Sequence, residues 1–133
     1  MAKAVLIIDD NAFIRQALCE LFKREADFEV CGEAENGREA IEKAQQLHPD
    51  LIVMDLSMPV MNGIDAARVL MSRVQVPLLI FSEYSDVFSE KEARSVGVSA
   101  LVSKSEHLSV LVGKARRVIL TSFPSQETPD CPS

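Results

Sequence analysis

The sequence has fewer basic residues than acidic ones. Lysine and arginine number 14 against 20 aspartates and glutamates, which gives the 133-residue chain a formal net charge of −6. Nucleic-acid affinity depends mainly on a basic surface that neutralises phosphates. We therefore expect no direct contact between this chain and nucleic acid.

Cysteines are also few. Cys19, Cys31 and Cys131 are odd in number and follow no CxxC or CxxH spacing. This pattern indicates neither a disulfide framework nor a zinc site. Reduced thiols in the cytoplasm fit it best.

Long hydrophobic runs and phosphate-binding glycine loops are absent. No run approaches the roughly 18 residues that a membrane span needs. The apolar run over residues 4–8 is followed at once by Asp9 and Asp10. This run is too short, and too soon followed by charge, for a signal peptide. Neither GxGxxG nor GxxxxGK[ST] occurs, so nucleotide binding lacks its usual loop. We expect a cytoplasmic protein without membrane contact.

The composition is that of one globular domain. The chain is 47% hydrophobic and 26% charged, which is typical of a folded soluble domain of this length. Residues 122–133 contain three prolines and three serines and show no periodicity. We therefore predict a folded domain over 1–121 and a disordered tail or linker over 122–133.

Five short segments have the character of β-strands. Four apolar runs do not alternate with polar residues, which is typical of strands buried on both faces: 4–8, 51–54, 77–81 and 100–102. The fifth segment, 28–34, alternates and is predicted to be an edge strand.

Segments with helical spacing separate these strands. Their apolar stripes fall within five segments: 14–21, 40–47, 64–71, 87–96 and 108–119. Strict alternation of strand and helix forces parallel strands. We predict an α/β fold, a doubly wound, five-stranded parallel sheet in the flavodoxin-like order 2-1-3-4-5 with five helices.

Chemically useful side chains follow four of the five strands. Asp9 and Asp10 follow the first strand, Asp55 the third, Ser82 ends the fourth, and Lys104 follows the fifth. Ligands of open parallel sheets bind at the carboxyl ends of the strands. Three carboxylates, a hydroxyl and an ammonium group should therefore meet at one edge of the sheet.

These groups suit phosphoryl transfer. Three neighbouring carboxylates repel each other, and this repulsion is usually relieved by a bound divalent cation such as Mg²⁺, which prefers oxygen ligands. A carboxylate beside magnesium and lysine is equipped to attack phosphorus. In this interpretation Asp9, Asp10 and Asp55 hold the metal, Lys104 pairs with the phosphoryl group, and Ser82 donates to one of its oxygens.

The motifs resemble those of the receiver domains of two-component response regulators. The resemblance covers roughly residues 3–121 and is carried by Val5–Asp10, Leu51–Pro59, Gly63, Ser82 and Lys104. The segment from Gly97 to Glu106 is most similar to receivers that precede a LuxR/NarL-type helix-turn-helix output domain.

The resemblance implies a role for each site residue. Asp55 would be the phosphoacceptor, receiving its phosphoryl group from a histidine kinase or a phosphotransfer protein. Ser82 and Lys104 would sense the phosphorylated state. The implied magnesium ligands are Asp9, Asp10, Asp55 and the backbone carbonyl of Ser57.

The resemblance also implies a signalling switch rather than an enzyme, with at most magnesium-dependent self-phosphorylation and self-dephosphorylation. The responding surface would be formed by the fourth predicted helix, the fifth strand and the last helix. Residues 66–122 carry a balance of +3, unlike the acidic first half. A homodimer through this surface is our hypothesis for the active state.

Some positions depart from the family pattern. Leu101 stands where receivers usually carry a switching tyrosine or phenylalanine, and Glu83 stands where they carry a small residue. Tyr84 and Ser57 occupy the variable positions that tune the phosphoryl lifetime. Two alternatives remain open. One is a receiver-like docking module that does not depend on phosphorylation. The other is a magnesium-dependent phosphatase, which would want an acid at position 57.

Overall fold

The computed structural model describes residues 2–55, 63–82, 95, 97–104 and 106–122. Nine helices and strands lie within these residues. The strands are β1 (Lys3–Ile8), β2 (Phe28–Ala34), β3 (Leu51–Met54), β4 (Leu78–Ser82) and β5 (Ala100–Ser103). The helices are α1 (Ala12–Lys23), α2 (Gly37–Leu47), α3 (Gly63–Arg73) and α4 (Leu108–Ser122).

The strands form one parallel sheet in the order β2-β1-β3-β4-β5. The predicted flavodoxin-like topology is confirmed. β3 is buried along its whole length, because it lies at the centre of the sheet between β1 and β4. β2 lies at the edge, as its alternating pattern predicted, and its pairing with β1 shifts register between Val5 and Leu6.

Asparagine side chains begin the first two helices. The Asn11 side chain accepts hydrogen bonds from the backbone N–H groups of Phe13 and Ile14. Asn36 accepts from Glu39 at α2 in the same way. Each cap satisfies N–H groups that have no partner inside the helix. Asn11 therefore fixes the point at which the chain leaves the end of β1 and turns into α1.

The core has two layers, one on each face of the sheet. Val5 and Ile7 face a cluster that includes apolar residues of α1 and α4. Leu6 and Ile8 face a second cluster with residues of α2 and α3. Successive strand side chains point to opposite faces, so helices cover both sides of the sheet.

Two sequence predictions fall largely outside the described residues. The weak helix predicted over 87–96 has only Ser95, at its end, within the described part of the chain. Of the predicted tail, 122–133, only Ser122 is described, and it ends α4. The boundary of the domain at residue 121 therefore stays a prediction. Among the residues described, no helix is long and apolar enough to cross a membrane.

Candidate functional site

The sheet places Asp9 beside Asp55. Ile8 and Met54 are paired in the register of β1 and β3, and each aspartate directly follows one of these residues. The Asp55 N–H donates to the carbonyl of Ile8 at 3.0 Å, so the backbone holds the two positions together past the ends of the strands.

Three carboxylates converge at this edge. Asp9 and Asp55 are buried, whereas Asp10 is exposed. Asp9, Asp10 and Asp55 each place one carboxylate oxygen within 4.8 Å of the others. The convergence predicted from the sequence is present in the structure.

Lys104 reaches the two buried carboxylates from β5. Its Nζ lies 3.1 Å from Oδ2 of Asp9 and 3.1 Å from Oδ2 of Asp55. Burial alone would lower the pKa of Lys104, but the hydrogen bond to Asp55 and the charges of Asp55 and Asp9 outweigh it. The pKa of Lys104 is therefore raised, and its ammonium group stays charged at neutral pH.

The carboxylate of Asp9 is only partly satisfied. Its Oδ1 accepts from the N–H of Asn11 at 2.9 Å. Its Oδ2 is buried and accepts no hydrogen bond among the described residues, although the Lys104 ammonium lies 3.1 Å away as an ion-pair partner. Burial, followed by the charge of Asp55, raises the pKa of Asp9. Burial and the Asp55 charge outweigh the hydrogen bond from Asn11 and the positive charge of Lys104, which lower that pKa.

The site fits a divalent cation. Its three carboxylates carry three negative charges, and Lys104 supplies one positive charge. The buried Oδ2 of Asp9 accepts no hydrogen bond among the described residues, and magnesium takes carboxylate oxygens of this kind as ligands while keeping several waters. Asp9, Asp10 and Asp55 are the described residues that could hold it.

Arg15 is a residue of this site that the sequence interpretation missed. Its guanidinium group donates from Nη1 to the backbone carbonyl of Asp9 at 2.7 Å. A basic residue in the first turns of α1, six positions after Asp9, was the available signal. Because the bond goes to a backbone carbonyl, no pairing of charged residues in the sequence pointed to it.

The remaining predicted site residues are described incompletely or not at all. Ser82 ends β4 and is paired with Ser103 in the sheet register, which places its backbone at the same edge. Ser57, Glu83 and Tyr84 lie outside the described residues. Leu101 is half-buried and packs against the core cluster on the α2 and α3 face.

Comparisons with known proteins agree with this geometry. A family model described as "Response regulator receiver domain" matches residues 5–116. The chain is 41% identical over 103 residues to a protein-glutamate methylesterase/protein-glutamine glutaminase 1 of Methanosarcina acetivorans, covering 76% of the chain and 30% of that protein. It is 49% identical over 82 residues to a protein of the same description from Vibrio vulnificus, covering 62% and 22% respectively. The chain thus spans less than a third of the length of these relatives.

Solved structures show the same fold. The response regulator domain of CheB from Thermotoga maritima has a TM-score of 0.84 and 30% identity, with 90% of this chain and 97% of that one covered. A LuxR-family response regulator from Aurantimonas has a TM-score of 0.86 and 26% identity, with 91% and 87% covered.

Proposed function

Because this chain belongs to the response regulator receiver domain family, we propose that it is a switch controlled by phosphorylation of Asp55. The observation that carries the proposal is the placement of Asp55. Its carboxylate lies at the end of the central strand, 3.1 Å from the Lys104 ammonium and beside Asp9 and Asp10. The phosphoryl donor would be a histidine kinase or a phosphotransfer protein.

The proposed reaction moves a phosphoryl group from a donor histidine to Asp55. A carboxylate oxygen of Asp55 forms a bond to phosphorus while the phosphorus–nitrogen bond of the donor breaks. The electron pair of the broken bond stays on the imidazole nitrogen, which takes up a proton. Lys104 would contact an oxygen of the transferred group, and Ser82 would donate to another. When bound, Mg²⁺ would neutralise charge on the transferring oxygens.

The switch would act through Lys104 and β5. In the unphosphorylated site Lys104 is held by Asp55 and Asp9. Phosphorylation replaces the Asp55 carboxylate by a group with more negative charge, and Lys104 would shift toward it. The backbone carbonyl of Leu101 accepts from Lys114 of α4 at 3.1 Å. A displacement of β5 would therefore reach α4, biasing an equilibrium between two arrangements of this surface.

We further propose that β5 and α4, with the segment 87–96, form the surface that partners recognise. A symmetric dimer through this surface is the form that we expect on activation. Size-exclusion chromatography with magnesium and a phosphoryl mimic tests this proposal, and a monomer with and without the mimic would contradict it. In this proposal the domain signals and does not process a separate substrate.

Incubation with a small phosphodonor such as acetyl phosphate, followed by intact-mass measurement, tests the phosphoacceptor proposal. We expect the chain to gain one phosphoryl group with magnesium and none with EDTA. Asp55→Asn should abolish the gain. Asp27→Asn is the matched control and should retain the gain, because Asp27 directly precedes the amino end of β2, whereas the site lies at the carboxyl ends of the strands. A failure of the cognate kinase and of the small donor to modify Asp55 would favour the docking module instead.

A further inference from the structure

Arg15 connects the acidic site to the edge strand β2. Its side chain is mostly buried, with 19% of its area exposed. Nη1 donates to the Asp9 carbonyl at 2.7 Å, and Nε donates to Oε1 of Glu33 at 3.0 Å. Lys43 of α2 in turn donates to the backbone carbonyl of Glu33. The guanidinium group is thus held between β2 and the turn that carries the aspartates.

The carbonyl of Asp9 belongs to the peptide unit that joins Asp9 to Asp10. The Asp9 N–H donates to the carbonyl of Ala34 at 3.0 Å, and the side chain accepts from Asn11. The bond from Arg15 fixes the remaining polar atom of the Asp9 backbone. Since a peptide unit is planar, holding its oxygen fixes the plane from which Asp10 continues.

We propose that Arg15 is a positioning residue for the metal site. Its bond to the Asp9 carbonyl orients the Asp9–Asp10 peptide unit and so directs the exposed Asp10 carboxylate toward the buried carboxylates of Asp9 and Asp55. Glu33 orients the guanidinium group by accepting the hydrogen bond from Nε of Arg15. This inference rests on the magnesium-dependent function proposed above, and it assigns a contribution to metal binding to a residue that does not touch the metal.

Charge and position act in opposite directions at Arg15. As a cation near the site, Arg15 should repel magnesium, so its removal would strengthen binding if charge dominated. As a positioning group, its removal should weaken binding, because Asp10 would no longer be held near the other ligands. Loss of an outer partner of metal ligands typically lowers metal affinity on the order of 10-fold or more. The direction of the change therefore separates the two effects.

The test is a titration of the metal-free chain with MgCl2, followed by backbone amide shifts in nuclear magnetic resonance spectra. We expect Arg15→Met and Arg15→Gln to raise the Kd for Mg²⁺ on the order of 10-fold. Arg15→Lys should recover part of the affinity, because an ammonium group can still donate to the Asp9 carbonyl. The control is Arg68→Met, which removes an exposed, ion-paired arginine of α3 and should leave the Kd near that of the original chain.

Each outcome has a defined meaning. The affinity is that of the folded chain, so a purely structural role for Arg15 would lower stability without changing the Kd. An unchanged or lower Kd in the neutral variants would overturn the positioning role and leave the proposed function intact. Absence of any magnesium-dependent shift in the original chain would overturn the positioning role together with the magnesium requirement. If Arg15→Met does not fold, Arg15→Gln gives the same test.

Discussion

Replacing Lys104 by methionine should destabilise the chain strongly, and magnesium should restore much of the loss. Lys104 is the positive side chain between two buried carboxylates, with Nζ 3.1 Å from Oδ2 of Asp9 and of Asp55. Methionine keeps an unbranched side chain of similar length but removes the charge. The two carboxylates then face each other without a counter-ion.

The size of the effect follows from the geometry. The oxygens of Asp9 and Asp55 lie within 4.8 Å of each other. At an effective dielectric constant of about 20, two negative charges at that distance repel by roughly 3 kcal/mol. Removal of one partner of a buried ion pair typically costs about 3–5 kcal/mol. We therefore expect Lys104→Met to lower the free energy of unfolding by about 3 kcal/mol in EDTA at pH 7.

Urea unfolding in EDTA and in saturating MgCl2 measures this prediction. A ligand that binds only the folded state stabilises it according to its affinity. The variant, with one cation fewer competing for the carboxylates, should therefore gain more stability from magnesium than the original chain. Lys114→Met is the matched control. Its Nζ donates to the carbonyl of Leu101, so its effect should be the same with and without magnesium.

The pH dependence provides a second check. The folded pKa of Asp9 is raised, chiefly by burial and then by the charge of Asp55. The folded state therefore holds the Asp9 proton to higher pH than the unfolded state does, and the cost of ionised Asp9 is relieved as pH falls through the folded pKa. The loss in free energy of unfolding caused by Lys104→Met should therefore become smaller as pH falls through the folded pKa of Asp9. A variant as stable as the original chain in EDTA, or one that gains no more from magnesium, would refute the reasoning.

Three further predictions concern residues outside the site. Phe22→Ala should lower the free energy of unfolding by about 3–5 kcal/mol, because Phe22 is fully buried and packs against Phe28. Phe13→Ala, at an 87% exposed position, should lower it by less than about 0.5 kcal/mol, and equal urea midpoints for the two variants would contradict this. Arg116→Met should lower Tm, because Arg116 pairs with Asp27 and Glu25. The hydrogen bond from Arg116 lowers the pKa of Asp27, so the difference in Tm should shrink as pH falls through that pKa, and a constant difference in acid would argue against the pair with Asp27. Burial is the main cause that raises the pKa of Cys19 to about 11, so its thiol should resist iodoacetamide at pH 8 until urea unfolds the chain. Labelling is detected by peptide mass, and rapid labelling of Cys19 in the folded protein would disprove its burial.

The sheet and its strand order could be predicted from the sequence for a clear physical reason. Strands covered on both faces are apolar at nearly every position, and an unbroken apolar run such as Leu51–Met54 is typical of them. Helical crossovers then force parallel pairing, which leaves few topologies. Asparagines such as Asn11, which cap the first two helices, are the sequence signal for where these helices start. The register shift between Val5 and Leu6 was not predicted, and its available signal was Gly32, because an isolated glycine inside a strand often marks such an irregularity.

The charged groups of the site could be predicted because each one lies within two residues of the end of a strand. The contacts that hold them could not. Arg15 bonds a backbone carbonyl, and Arg116 of α4 pairs with Asp27 and Glu25 of the loop before β2. Such long-range contacts have no periodic signal in the sequence, since any exposed arginine can meet several acids.

The measurement that tests the central claim most directly is the chemical location of the phosphoryl group. The chain is phosphorylated with a small phosphodonor and magnesium, then treated with borohydride, which reduces an aspartyl phosphate to homoserine, and the peptides are mapped by mass. The proposed function predicts homoserine at position 55 and at no other aspartate. Modification at another residue, or none with an active donor and magnesium present, would contradict it.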